Sequence, residues 1–345
     1  MNPVSDKRGD RFNRRRFLAD ASALGAASFL GLPRLAAADP PPETSAIRIE
    51  RFPVSCIAPQ FVAEALLRAE GFTDVQYVEV PYPEGGEPWL GSAGPGKADF
   101  TMDTGEAIMT YLDAGAPIRV LAGVHLGCYE LFGSERVRTI RDLKGKTVPV
   151  DSLGGSKHVL LSSMAGYVGL DPRRDIKWIE LPSGEALERF AAGKFDAFLG
   201  FPPEPQALRA RGIHDVIVKT GTDKPWSQYY CCMLFSHRDF VRKRPAATKR
   251  VVRAILKGTD LCAREPQLAA REIVDKGYVE NYRFAVETLR DVRYDVWRTY
   301  NPEDTLRFYG LRLREVGMIK TDPNALVAQG TDWRFLNELK RELKA

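Results

Sequence analysis

The first two thirds of the chain alternate between short apolar runs of strand length and amphipathic segments of helical period. Residues 47–52 are a run of the first kind, and residues 60–70, stopped by Gly71, form a segment of the second kind. The pattern continues with strands at 75–80, 100–102, 118–124, 147–150, 176–181, 195–199, 216–219 and 229–236, and helices at 104–113, 156–168, 184–192 and 203–211. This βαβ rhythm predicts an α/β protein with parallel sheets and helices on both faces.

The pattern changes after residue 239, where almost every segment has helical period. Residues 246–264 carry apolar side chains along one side, and Pro266 ends that predicted helix. Further helices are predicted at 267–276, 284–291, 302–316 and 333–343. The chain is therefore expected to end in a helical extension of the α/β part.

Composition excludes several classes of protein. The chain has 345 residues, of which 44% are hydrophobic and 28% charged, as in ordinary globular proteins and unlike disordered or collagen-like ones. No run of 18 or more apolar residues predicts a conventional membrane span. The net charge is +5, but residues 1–38 hold seven basic and three acidic side chains. The near-neutral remainder argues against a general nucleic-acid binder.

The first 38 residues have the organisation of an export signal. Arg14-Arg15-Arg16-Phe17-Leu18 precedes a weakly apolar run rich in Ala and Gly, and Ala36-Ala37-Ala38 offers the small residues of a cleavage site. The segment resembles a twin-arginine export signal, with Ala19 where Lys is usual. We expect cleavage near Ala38 and a periplasmic mature protein. An uncleaved amphipathic arm is the alternative.

Five cysteines occur, at positions 56, 128, 231, 232 and 262. An exported protein can form disulfides, but five is odd and adjacent cysteines rarely pair with each other. The sequence has no CxxC motif and no Cys/His spacing typical of zinc. Cysteine used as a small buried hydrophobic residue is the favoured interpretation, and no metal or cofactor is expected.

Four motifs occur in a fixed order: Gly96-Lys97-Ala98-Asp99-Phe100, Asp142-Leu143-Lys144-Gly145-Lys146-Thr147-Val148, Gly169-Leu170-Asp171-Pro172 and Gly193-Lys194-Phe195-Asp196-Ala197. In this order the chain resembles the solute-binding proteins of ABC importers, in the branch for sulfonates, taurine, nitrate and thiamine-pyrimidine precursors. His237-Arg238-Asp239-Phe240 is similar to the return segment of that family. The resemblance covers about residues 47–271.

The resemblance implies a two-lobed periplasmic binding protein of type II, with a mostly parallel sheet in each lobe and ligand in the cleft between the lobes. Lobe 1 would comprise residues 39–125 and 230–345, and lobe 2 residues 126–229. The implied partners are a small solute and the membrane permease of an ABC importer, and we expect a monomer. In open α/β sheets ligands bind beyond the carboxyl ends of the strands, which points to the same cleft.

The strongest candidate loop joins a strand to a helix N-terminus at residues 151–158. Gly154 and Gly155 allow a ligand to approach backbone N–H groups, where the helix dipole favours an anion. This loop supplies the candidate contacts Ser152, Gly155, Ser156, Lys157 and His158. An ordinary helix cap with Lys157 in solvent is the alternative.

Other strand ends add candidates in both lobes. Asp103 and Thr104 end one strand, and a carboxylate there fits a ligand that carries hydrogen-bond donors better than an anion. Aromatic side chains with polar tips suit a cleft or a crossing between lobes, although burial between the lobes explains them equally well. The remaining candidates are Ser55, Cys56, Tyr82, His125, Phe201, Glu204, Tyr229 and Tyr230.

No catalytic signature accompanies these residues. The sequence has no G-x-S-x-G and no HExxH, and its four histidines match no triad or metal spacing. Some members of the resembled family are pyrimidine synthases that use a cysteine-rich stretch and iron, whereas Cys231-Cys232 lacks such a run. The sequence therefore favours a non-enzymatic binding protein for a flat, singly anionic organic solute. A sensor subunit and, less favoured, a synthase-like enzyme are the alternatives.

Overall fold

The computed structural model describes residues 39–80 and 97–343. The predicted export signal and Tyr82 lie outside these residues. The chain divides into two compact units, residues 1–40 and 41–345, and the strands and helices of the described residues lie in the second. Within the described part, no helix is both long enough and apolar enough to cross a bilayer.

Ten strands form the sheets of the described residues. They are β1 (Ala46–Glu50), β2 (Asp74–Val78), β3 (Phe100–Thr104), β4 (Ile118–Leu126), β5 (Glu130–Gly133), β6 (Lys146–Val150), β7 (Ile176–Glu180), β8 (Ala197–Gly200), β9 (Val216–Lys219) and β10 (Tyr230–His237). The predicted strands all occur, with ends displaced by up to two residues. β5 was not predicted, because its two apolar residues between Glu130 and Gly133 are too few to show a period.

Fourteen α-helices occur between residues 39 and 343, outside the gap at 81–96. They are α1 (Ala58–Val62), α2 (Glu64–Ala69), α3 (Gly105–Asp113), α4 (Ser156–Tyr167), α5 (Pro172–Asp175), α6 (Ser183–Ala191), α7 (Glu204–Ala210), α8 (Arg238–Lys243), α9 (Pro245–Arg264), α10 (Pro266–Asp275), α11 (Tyr282–Asp291), α12 (Pro302–Glu315), α13 (Pro323–Gly330) and α14 (Arg334–Glu342). The helix predicted at 60–70 is in fact two short helices, separated by the single turn residue Ala63, which caps the end of one and the start of the other. The apolar side predicted for α9 is fully buried, as amphipathic periodicity requires.

The first sheet has the order β2-β1-β3-β10-β4. β1 runs parallel to β2 and to β3, whereas β10 runs antiparallel to both β3 and β4. The sheet is therefore mixed rather than mostly parallel, because β10 returns to it from the far part of the chain. Both β4 and β10 are almost wholly buried, which explains their continuous apolar sequences.

The second layer of strands consists of the sheet β8-β5-β9 and the parallel pair β6-β7. β5 is antiparallel to both of its neighbours. β6 adjoins β8 at Thr147, whose carbonyl accepts a hydrogen bond from Asp196 N at 3.1 Å. The described residues therefore form an α/β fold with a helical C-terminal part, as the hydrophobic pattern predicted.

Two crossings connect the layers, at residues 127–129 and 220–229. They are hydrogen-bonded to each other, since Tyr129 N donates to Thr220 Oγ1 and Thr220 N donates to Tyr129 O, both at 2.9 Å. Gly127 lies where a Cβ atom would come within 2.4 Å of the Thr220 backbone. The crossings therefore touch each other, and only glycine fits at that point of contact.

Candidate functional site

The register of the first sheet brings several candidate residues to one edge. Because β10 is antiparallel, its first residues lie level with the carboxyl ends of β3 and β4: Cys232 pairs with Thr104 on one side and with His125 on the other. Cys56 follows β1 in a short 3-10 helix at the same edge and is buried. Strand topology thus places residues from four distant stretches of sequence side by side.

Four of the five cysteines meet His125 at this edge. The donor atoms of Cys56, His125 and Cys128 all lie within 4.8 Å of one another, and all three residues are buried. Cys128 Sγ lies 3.4 Å from Cys231 Sγ, and the Cys232 thiol hydrogen-bonds with Cys56. All five cysteines are free and buried, as expected for cysteine used as a small hydrophobic residue. Their gathering around one histidine was not predicted.

The thiols and the imidazole perturb one another. Hydrogen bonds from Cys128 and Cys232 lower the pKa of the Cys56 thiol well below its usual value, although burial opposes this change. Burial alone would lower the pKa of His125, but the adjacent Cys56 outweighs it and the pKa is raised. His125 Nδ1 lies 2.7 Å from the Leu126 carbonyl oxygen, so it carries the proton and donates it. Nε2 has no hydrogen-bond partner among the described residues.

Asp103 connects the two layers of the fold. Its Oδ1 accepts hydrogen bonds from Thr104 N at 2.7 Å and from Ser156 Oγ at 2.9 Å, and its Oδ2 accepts one from the Tyr111 hydroxyl. Ser156 begins α4, which follows β6 of the second layer. Burial raises the pKa of Asp103, although these three hydrogen bonds oppose the change. Asp103 and Ser156 therefore join the strand-to-helix junctions that the sequence singled out in the two lobes.

Two further residues at this junction were missed by sequence reasoning. Glu106, in the first turn of α3, is 1% exposed, and its Oε1 has no hydrogen-bond partner among the described residues. Burial raises the pKa of Glu106 well above its usual value, and the nearby Cys231 thiol adds to the change. Tyr129 is buried and packs edge-on against Phe201, with ring centroids 5.7 Å apart. Glu106 could have been predicted, because an acidic residue follows two positions after the strand-end residue Thr104. No feature of the sequence indicated Tyr129.

Lys157 is only 2% exposed and is fully engaged within the second layer. Its Nζ donates to Glu204 Oε1 at 2.8 Å and to Ser183 Oγ at 3.0 Å. It also lies over the rings of Phe198 and Phe201, at 5.0 and 4.7 Å from their centroids. Burial raises the pKa of Glu204, and Lys157 acts in the opposite direction. The cation that the sequence offered to an anionic ligand is thus already paired with a carboxylate.

The remainder of the 151–158 loop is held by contacts within the loop and with Trp178. Gly154 N donates to His158 Nδ1 at 3.0 Å, and the His158 ring packs edge-on against Trp178 at 4.8 Å. Ser152 is exposed. A Cβ atom on Gly155 would lie 2.5 Å from Ser152 Oγ. The turn is therefore tight at Gly155, which is also the N-cap of α4.

The last candidates pack into other parts of the molecule. Ser55 Oγ donates to Thr288 Oγ1 at 3.1 Å in a buried contact. Tyr229 stacks on Phe308 with centroids 4.0 Å apart. The Tyr230 hydroxyl donates to the Val296 carbonyl at 3.2 Å. These three residues contact the C-terminal part of the chain.

Cavities show where space remains. A cavity of about 300 Å³ lies among the C-terminal helices, lined by residues such as Tyr300, Trp333 and Lys340, away from the candidate strand ends. A much smaller one, about 10 Å³ and large enough for about one water, lies between the crossings beside Cys128 and Tyr129. The Asp103–Ser156 hydrogen bond holds the two strand-to-helix junctions together, and the cavity beside the crossings has room for about one water.

The comparisons with known proteins agree with this geometry. Residues 70–269, more than half of the chain, match the family model described as NMT1/THI5 like. No curated protein matches the chain.

Solved structures give the same fold. The periplasmic nitrate-binding protein NrtA from Synechocystis PCC 6803 is 17% identical, with a TM-score of 0.72, covering 88% of this chain and 90% of that one. The alkanesulfonate-binding protein SsuA from Xanthomonas axonopodis pv. citri, bound to MOPS, is 20% identical, with a TM-score of 0.67, covering 84% and 99%. The aliphatic sulphonate binding protein SsuA from Escherichia coli is 20% identical, with a TM-score of 0.61, covering 79% and 86%. On the strength of the family model, the chain belongs to the NMT1/THI5-like family, and it shares the fold of these periplasmic binding proteins.

Proposed function

We propose that this chain is an exported solute-binding protein that captures a small organic molecule between two lobes and delivers it to an ABC importer. The lobes would be those expected from the sequence, with crossings at 127–129 and 220–229. The single observation that carries the proposal is the hydrogen bond from Ser156 to Asp103, which links the two strand-to-helix junctions across the closed cleft. The protein would act in the periplasm as a monomer, after cleavage near Ala38.

We propose further that the solute is flat and is recognised through its hydrogen-bond donors. Asp103 and Glu106 supply acceptors, and Tyr129 and Phe201 supply aromatic surface. The single negative charge favoured from the sequence has less support, because Lys157 is already paired with Glu204. A neutral heterocycle with amino groups satisfies this arrangement best, because its N–H groups can donate to the carboxyl oxygens of Asp103 and Glu106.

Transport is favoured over catalysis and sensing. The similar solved structures named above are binding proteins, and closure of a cleft around a solute is what delivery to a permease requires. A sensor subunit would have the same fold and is distinguished by its membrane partner. Recovery of permease subunits rather than a receptor with the cross-linked, loaded protein would support transport.

The test is a thermal-shift screen of the full chain against pyrimidines, amines, aromatic acids, sulfonates and nitrate. A solute at 100 times its Kd stabilises the protein by about 2.7 kcal/mol, which raises the unfolding midpoint visibly. We expect shifts with amino-substituted heterocycles and their loss in Asp103→Asn. Shifts with sulfonates or nitrate alone, unchanged in Asp103→Asn, would overturn the proposed solute class.

A bulky substitution tests the 151–155 turn separately. Gly155→Trp is expected to abolish solute binding and to leave the protein folded. Unchanged affinity in a folded Gly155→Trp protein would remove this turn from the site.

A further inference from the structure

The cluster of Cys56, His125, Cys128 and Cys231 is a compact set of soft donor atoms with no role in the proposed recognition of a solute. Three of its donor atoms lie within 4.8 Å of one another, and the Sγ atoms of Cys128 and Cys231 lie 3.4 Å apart. Four ligands in a tetrahedral zinc site are separated by about 3.5–3.8 Å, given bond lengths of about 2.3 Å to sulfur and 2.0 Å to nitrogen. Cys56, His125 and Cys128 therefore need only small side-chain movements to close around one ion, and Cys231 adjoins this group through Cys128.

The imidazole is already oriented as a ligand. His125 Nδ1 donates to the Leu126 carbonyl at 2.7 Å, and Nε2 is buried without a hydrogen-bond partner in the described part of the chain, so the neutral ring offers its Nε2 lone pair to a metal. A histidine that ligates a metal usually donates its other N–H to a carbonyl or carboxylate, which fixes both tautomer and ring orientation. In this chain the carbonyl that accepts from His125 belongs to Leu126, the next residue in sequence.

The loop that carries Cys56 is also fixed. The Tyr294 hydroxyl donates to the Cys56 carbonyl at 2.8 Å, and the Tyr294 ring packs edge-on against His125 at 5.4 Å. Tyr294, Cys56 and His125 are all buried. Tyr294 therefore fixes the positions of Cys56 and His125, as residues around the ligands do in preformed metal sites.

We infer that Cys56, His125 and Cys128, with Cys231 as fourth ligand, bind one thiophilic d10 metal ion, Zn(II) or Cu(I). Thiolate and imidazole donors select these ions over Mg(II) and Ca(II), which prefer oxygen. Each coordinating thiol releases its proton to solvent when the ion binds, and no oxidant or reductant takes part. The site departs from the sequence-based expectation of no metal, because its ligands are too far apart in sequence to form a recognisable spacing.

The experiment measures metal binding by the reduced, chelator-treated full chain in the absence of any solute. Zn(II) and Cu(I) are titrated separately against chromophoric competitors, and Co(II) serves as a spectroscopic probe through its thiolate charge-transfer band. We expect one ion to bind per chain in the Zn(II) titration, the Cu(I) titration or both. The ion that binds more tightly is then identified as the native one. We also expect a thiolate band with Co(II).

Variants identify the ligands. Cys128→Ser and Cys56→Ser are close in shape to the native residue and are each expected to weaken binding at least tenfold while the circular dichroism spectrum is unchanged. Cys262→Ser is the matched control, because Cys262 is equally buried but lies outside the cluster. It is expected to bind as the native chain does.

Several outcomes would overturn the inference. These are no binding in either arm, equal losses in Cys262→Ser and Cys128→Ser, or a Co(II) spectrum without a thiolate band. Isolation of the exported protein with a Cys128–Cys231 disulfide that still excludes metal after reduction would do the same. None of these results bears on the solute proposal, which is read from Asp103→Asn with solute alone.

Discussion

The most quantitative prediction concerns His158 and the stability of the protein in acid. The ring is partly buried against Trp178, and burial lowers its pKa from 6.5 to about 4, with Glu180 acting weakly in the opposite direction. The Gly154 N–H that points at Nδ1 favours the same neutral form. Unfolded chains bind this proton near pH 6.5, so the stabilisation by neutral His158 is fully present above pH 6.5 and is lost as the pH falls toward 4.

The expected magnitude follows from the displacement of the pKa. At about 1.36 kcal/mol per pH unit, the shift corresponds to about 3 kcal/mol of unfolding free energy lost between pH 7 and 4. His158→Asn keeps an acceptor for Gly154 N but cannot be protonated. Its unfolding free energy should therefore fall by about 3 kcal/mol less than that of the native chain over this interval.

Urea unfolding at a series of pH values measures this difference, because slopes from all other groups cancel between the two proteins. His214→Asn is the control, since His214 is exposed, and it should follow the native curve. Parallel curves for the native chain and His158→Asn would refute the reasoning. So would an NMR titration in which the His158 resonances change near pH 6.5.

Three further predictions concern packing and closure. Lys157→Met should lower the unfolding free energy by about 3–5 kcal/mol in urea unfolding, because it leaves the Glu204 carboxylate buried without its cation. The double variant Lys157→Met/Glu204→Gln should recover most of that loss. Ser156→Ala removes the hydrogen bond that links the strand-to-helix junctions, and calorimetry should show solute binding weakened about tenfold. The thermal midpoint of the solute-free protein should change by no more than a few degrees. Gly123→Ala places a methyl group 2.5 Å from the Tyr230 ring and should destabilise the fold by about 1–3 kcal/mol in thermal unfolding.

The fold was largely accessible from the sequence because its signals are local. Hydrophobic period located α9 and the buried strands, and motif order identified the family. α13 was missed, although Asp322 caps it and Pro323 opens it, because its short apolar pattern is weak. The antiparallel course of β10 was missed for a different reason. Strand direction is decided by partners that are distant in the chain, and alternation in one segment carries no information about them.

The candidate site was accessible only in part. Strand ends directed attention to Asp103 and Ser156, which are hydrogen-bonded to each other in the structure. The pairing of Lys157 with Glu204 could not be foreseen, because 47 residues separate them and either residue has an ordinary role at a helix start. The convergence of Cys56, His125 and Cys128 likewise depends on the return of β10 and on the first crossing. The sequence showed which chemical groups are present, but it did not show which of them lie next to one another in the fold.

The hydrogen-bonded crossings have a mechanical consequence. Because Tyr129 and Thr220 exchange two hydrogen bonds, and Gly127 fits against Thr220 with no room for a side chain, the two connections behave as one short two-stranded ribbon. Such a ribbon bends easily across its width and resists sliding along its length. Opening should therefore be a rotation about a single axis at this ribbon, with the Tyr129 and Thr220 amides remaining protected from hydrogen exchange while the Ser156 hydroxyl separates from Asp103.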